Sequence, residues 1–215
     1  MNDIDLIKFI SMIFTPIIAF FLGILAIPFI EHNKLKFEQR KLRKIFISEL
    51  DDEIEAIPSI VKNIFQFIDD TKFYLHSKEN KGFRIVFPPE INLYSLNKIL
   101  DGHYNSFSYE ERHSLKALIR LIEYLNEFSR KIKDNFHDVF KIDNIDNKEI
   151  GQYLQYNKDY LYALLSYKYQ ITYLTFSLQK KNGNLKFFRD ISNDEAVKFQ
   201  LKSLKMENRI PELVR

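Results

Sequence analysis

The chain has 215 residues, 46% hydrophobic and 15% aromatic, with a formal net charge of +3 and no cysteine. That content is too apolar for a disordered polymer, and the residues after position 30 are numerous enough to build one hydrophobic core. The absent thiol excludes disulfides, thiolate catalysis and cysteine-bound zinc, and the small net charge leaves no basic stripe of the kind that announces DNA binding.

The first element is FISMIFTPIIAFFLGILAIPFI, Phe9 to Ile30, 22 residues without a charge. A helix rises about 1.5 Å per residue, so roughly 20 apolar residues cross the hydrocarbon layer of a bilayer. A cleaved signal peptide has a basic start, an apolar stretch of about 7 to 15 residues and a small-residue cleavage site. Here Asp3 and Asp5 outweigh Lys8 at the start, and Pro28, Phe29 and Ile30 follow Ala26 where such a site would lie. The reading is an uncleaved membrane helix over 9–30, with Pro16 and Pro28 expected to kink it. Residues 1–8 form a short extracytoplasmic N-terminus.

Immediately after come Lys34, Lys36, Arg40, Lys41, Arg43 and Lys44, against Lys8 alone on the other side. The side richer in Lys and Arg stays in the cytoplasm, which places the N-terminus outside and residues 31–215 inside. These six cations are the expected contact with an anionic lipid surface, each contributing on the order of 1 kcal/mol. The neighbouring carboxylates Asp51, Asp52, Glu53 and Glu55 read as a solvated acidic patch.

From Leu42 onward, apolar residues recur at steps of three or four through Phe46, Leu50, Ile54, Ile57, Val61, Ile64 and Ile68, the stripe of an amphipathic helix. A basic juxtamembrane segment and long helix thus occupy 31–70, with Pro58 as a kink or as the first-turn residue of a second helix. Between 71 and 89 the period fades: SKENKG is a turn and FRIVFPP an extended piece, best read as an irregular or hairpin insert on the helices.

Ser108 and Glu111, and again Ser192 and Glu195, have capping-box spacing and mark two helix starts. The first helix runs to about residue 140, and a second from about 148 to 181 ends near Gly183, which suits a left-handed cap. A last helix covers about 193–208, with Pro211 in the tail. The expected fold is all-α, one transmembrane helix followed by a cytoplasmic bundle of about four to six helices, with 71–215 as the cytoplasmic domain.

Tyr153, Tyr156, Tyr160, Tyr162, Tyr167, Tyr169 and Tyr173 crowd the helix from 148 to 181. A helix apolar nearly all round is either central in its bundle or faces a partner, and tyrosine suits interfaces because its ring is buried while its hydroxyl stays wet. These seven are the candidate partner or oligomer surface. Only Lys158 and Lys168 interleave with them, too few to hold single-stranded nucleic acid.

The five glycines are isolated, and no phosphate loop, HExxH, GxSxG or metal-spaced cluster is present. Two pairings carry weaker chemistry. Arg130 and His137 stand seven residues apart on one helix face, where a histidine can transfer a proton and an arginine can stabilise a phosphate. This resembles the Arg-x(4-6)-His motif of HEPN ribonucleases, with Lys131 where many members carry another polar residue. The resemblance implies an all-helical dimer that cleaves RNA. His137 with Asp138 is similar to the doublet of HD-type phosphohydrolases, for which His103 and Asp159 would be the further ligands.

The functional expectation is a single-pass inner-membrane protein whose cytoplasmic helical domain binds a partner protein or self-associates, as an adaptor, sensor or recruiter. No cofactor, metal or DNA is expected, and RNA only under the HEPN-like alternative. The other alternative is a toxic or defence-type effector that forms oligomeric pores, for which Ala19, Gly23 and Ala26 offer a small-residue patch between spans.

Overall fold

The computed structural model describes residues 3–77, 87–140, 147–180, 186 and 190–214, without the side chains of 3–11, 13, 74–77, 137–140 and 147. Among them are six α-helices: α1 (Asp3–Ser77), α2 (Tyr94–Lys98), α3 (Tyr109–Phe140), α4 (Asn147–Leu178), α5 (Asn193–Ser203) and α6 (Ile210–Leu213). A π-helical turn at 99–103 and a 3-10 turn at 104–106 link α2 to α3. The chain forms two compact units, Met1–Lys44 and Ile45–Arg215.

The helix α1 is longer than expected. It runs unbroken through Pro16, Pro28 and Pro58 and on to Ser77, so Pro58 does not open a second helix and 71–77 does not belong to an insert. A proline inside a helix costs about 3 kcal/mol, and burying an aliphatic side chain contributes about 2 kcal/mol. Ile57, Val61 and Ile64, all fully buried beside Pro58, outweigh the lost hydrogen bond.

In the second unit the core is built around α4. Its buried side chains include Tyr153, Leu161, Leu164, Leu165, Tyr169 and Gln170, which point to different sides of the helix. Such all-round burial requires neighbours on every side. From α1 comes Phe67, whose ring meets Tyr153 edge-on at 5.8 Å; from α3 come Phe128 against Tyr156 and Phe136 against Tyr153, both at 6.3 Å. On the α5 side, Phe199 meets Tyr169 at 5.6 Å.

Of the expected extended piece only Phe87, Pro88 and Pro89 are described, within residues 87–93, which have no regular structure. Extended backbone without a partner strand needs other acceptors and donors. Asn126 on α3 supplies both: its Oδ1 accepts from Ile91 N–H (2.8 Å) and its Nδ2 donates to Ile91 O (3.0 Å). Ser129 Oγ donates to Pro88 O and Tyr160 Oη to Pro89 O. Residues 78–86 of the expected insert lie outside the described residues.

Both capping boxes form. Ser108 Oγ accepts from Glu111 N–H while the Glu111 carboxylate accepts from Ser108 N–H; Ser192 and Glu195 repeat the exchange. The ends of the helices differ from the expected ones. The first left-handed residue after α4 is Lys180 (φ 53°), while Gly183 lies outside the described residues. The helix from 193 stops at Ser203, because Lys205 turns left-handed (φ 56°) and Met206 N–H donates back to Leu201 O. Pro211 sits in the first turn of α6, where it lacks no needed hydrogen bond, so the tail is structured.

Candidate functional site

The apolar surface of α1 is the first candidate. From Phe14 onward α1 contains a stretch long and apolar enough to cross a membrane, and none of it is buried against the rest of the chain. Phe20, Leu22 and Leu25 are more than half exposed. A Cβ added at Gly23 would meet nothing within 4 Å, so the small-residue patch of Ala19, Gly23 and Ala26 is equally uncovered. In the same unit Lys34, Lys36, Arg40, Lys41 and Lys44 are exposed on the helix and Arg43 is half-buried. At about 100° per residue these six cations fall within one half of the helix circumference, so they form a basic face beside the apolar stretch.

The tyrosine helix is divided by burial. Tyr153, Tyr160, Tyr167 and Tyr169 are at most 2% exposed and lie in the chain's own core. Burial raises their hydroxyls, Tyr153 to about 12, and Tyr160 and Tyr167 are raised further by the nearby Glu53 carboxylate. Tyr156, Tyr162 and Tyr173 are partly exposed, so any partner contact made by the tyrosines of α4 falls to these three. All three hydroxyls are already engaged: Tyr162 donates to Asp194 (2.7 Å), Tyr173 donates to Glu110 (3.4 Å), and Tyr156 accepts from Gln152 Nε2 (2.7 Å).

Both Arg130 and His137 lie on α3, as the spacing requires. Arg130 is exposed, and its Nε donates to Asn126 O one turn back. The side chains of His137 and Asp138 lie outside the described residues. Lys131 is paired with Glu127. For the doublet reading, Asp159 accepts from Gln155 on its own helix, His103 sits in the π-helical turn, and no three metal-ligating side chains converge among the described residues.

A site that the sequence reading passed over lies between α3, α4 and α5. It is a cleft of about 520 Å³, with His113, Lys116 and Arg120 from α3 along one side. Ser166 and Gln170 of α4 and Asn193 of α5 contribute polar groups, and Ala117, Leu121, Ile191 and Ala196 an apolar floor. Among the described residues no carboxylate lines it. The signal was present in the sequence, since steps of three and four from His113 to Arg120 put all three on one helix face. His113 read alone is an ordinary surface residue, and only the opposing helices turn the face into a wall.

Within the same domain Lys168 is almost buried. Its Nζ donates to Gln200 Oε1 at 2.9 Å, and burial lowers its ammonium below the usual lysine value. Lys168 therefore holds α4 to α5 and is not a free cation of an interface. Comparison of the chain with protein-family models, with curated proteins and with solved structures finds no match.

Proposed function

We propose that this chain is a single-pass protein of the cytoplasmic membrane, with its N-terminus outside and its helical domain in the cytoplasm, where the domain binds a partner protein or a second copy. The observation that carries the membrane assignment is the uncovered apolar surface of α1 from Phe14 onward. Leaving that surface in water would cost about 25 cal/mol for each Å² of apolar area, so lipid or protein must cover it. The exposed cations Lys34 to Lys44 support the orientation, because they adjoin the apolar stretch on its C-terminal side. The adaptor or recruiter role follows from position, and the absence of any match leaves the partner to chemistry rather than kinship.

Two measurements test the reading. After alkaline carbonate washing of membranes, the full-length chain should stay in the pellet with an intact mass that includes Met1 to Ile30; release, or a mass shortened by cleavage, would overturn the anchor. Purification from the native host in mild detergent should return a hetero-complex or a homo-oligomer of defined mass, and a monomer would overturn the binding role.

A further inference from the structure

We propose that the cleft between α3, α4 and α5 is a binding site for a phosphate-bearing small molecule of about nucleotide size. Nothing in the membrane or partner reading depends on it. The first argument is charge. His113, Lys116 and Arg120 all line the cleft from one face of α3, and among the described residues no Asp or Glu shares the lining. Among the described residues neither Lys116 nor Arg120 has a salt-bridge partner; the carboxylates nearest in sequence on the far wall are occupied, Asp194 by the Tyr162 hydroxyl and Glu195 by the Ser192 cap. An uncompensated cationic cleft concentrates anions.

The second argument is arrangement. Lys116 is held with Nζ 5.9 Å from the centre of the Tyr104 ring, and His113 lies against the Tyr109 ring at 4.4 Å, so two of the three side chains are braced. Across the cleft, one Nε2 hydrogen of Gln170 is used on Ser114 O (2.6 Å), which fixes the amide and leaves its other N–H to donate. Asn193 stands in the first turn of α5, where backbone N–H groups lack helical acceptors.

The third argument is size. A volume of about 520 Å³ exceeds what a bare phosphate occupies and falls within the range of small-molecule sites, roughly 300–1,000 Å³. An apolar floor beneath a cationic wall matches a ligand with an organic body and an anionic end. Arg120 supplies a planar fork for two phosphate oxygens and Lys116 a point charge.

The test is thermal unfolding of the full-length protein in mild detergent with inorganic phosphate, pyrophosphate, ATP or glycerol 3-phosphate, each at millimolar concentration. A rise in Tm with ATP or pyrophosphate that is absent with glycerol 3-phosphate identifies a free nucleotide-like ligand; a rise with glycerol 3-phosphate identifies a lipid headgroup as the source. In either case Lys116→Ala and Arg120→Ala should each weaken binding at least tenfold and leave the ligand-free Tm unchanged, since both side chains are exposed. Arg120→Lys should recover part of the affinity, and Lys34→Ala should recover none because it should lose none. If no probe raises Tm, or if the rise persists in the Lys116→Ala, Arg120→Ala double variant, the site does not exist.

Discussion

Arg209 places Nη2 2.7 Å from Asp69 Oδ2, joining the C-terminal turn to α1 across 140 positions of sequence. The same guanidinium donates to Glu212 Oε1 (2.6 Å) and Phe65 O (3.3 Å) and covers the Phe65 ring at 4.4 Å. Burial works to raise the Glu212 carboxyl, but Lys72 and Arg209 outweigh it and hold it below the ordinary range. Arg209→Ala removes three charge-assisted bonds from a side chain that is 14% exposed, and should lower stability by about 2–3 kcal/mol. Denaturant unfolding of the full chain followed by circular dichroism checks this, and Arg209→Lys, which loses the fork, should fall between.

Asn126 does for residue 91 what a neighbouring strand would do, satisfying both its N–H and its carbonyl. Asn126→Ala should therefore cost about 1–3 kcal/mol. It should also open residues 87–93 to limited proteolysis before the helices unfold, whereas an equal cleavage rate in variant and parent would mean the amide is not the clamp.

Glu53 is half-buried on α1, and its carboxyl is raised by burial and then by Asp52. A folded-state value above the unfolded one means that the folded chain binds protons more tightly, so stability falls as pH rises through that window. Glu53→Gln should raise Tm at pH 7, and the gain should shrink as pH falls through about 4 and vanish by about pH 3, where both states are protonated. A gain independent of pH would assign the effect to something other than ionisation.

Tyr167 is fully buried and its hydroxyl has no hydrogen-bond partner among the described residues. An unsatisfied buried hydroxyl costs about 1–3 kcal/mol, so Tyr167→Phe should stabilise the protein by about 1 kcal/mol at neutral pH. The raised hydroxyls of Tyr160 and Tyr167 also make stability fall above about pH 10, where the unfolded chain ionises and the folded one does not. Lys168, with its lowered value, acts in the opposite direction over the same range. Comparing Tyr167→Phe with the parent cancels that contribution, and the variant should lose less stability between pH 9 and 11.

Lys205 holds a left-handed conformation (φ 56°) so that Met206 N–H can close the end of α5 on Leu201 O at 2.8 Å. A side chain at positive φ costs about 1 kcal/mol, partly offset by the greater unfolded-state freedom of glycine. Lys205→Gly should raise stability by a few tenths to about 1 kcal/mol, and Lys205→Val should lower it.

Local chemistry settled much of this protein. Uninterrupted apolar length from Phe9 to Ile30, a stripe at helical spacing from Phe46 to Ile68 and two capping boxes each depend on residues within a few positions of one another, so the all-helical fold and its helix starts are legible in the sequence. Where competing elements met, tertiary packing decided. Pro58 is a helix breaker by local rules, yet the buried neighbours Ile57 and Val61 carry α1 past it. The tyrosines of α4 suit a core or an interface equally well by composition; only the helices packed around them put Tyr153, Tyr160, Tyr167 and Tyr169 inside and left Tyr156, Tyr162 and Tyr173 at the edge. The cleft beside His113, Lys116 and Arg120 needs walls from α4 and α5, which are distant in sequence, and a cavity is a property of the space between elements that no single helix encodes.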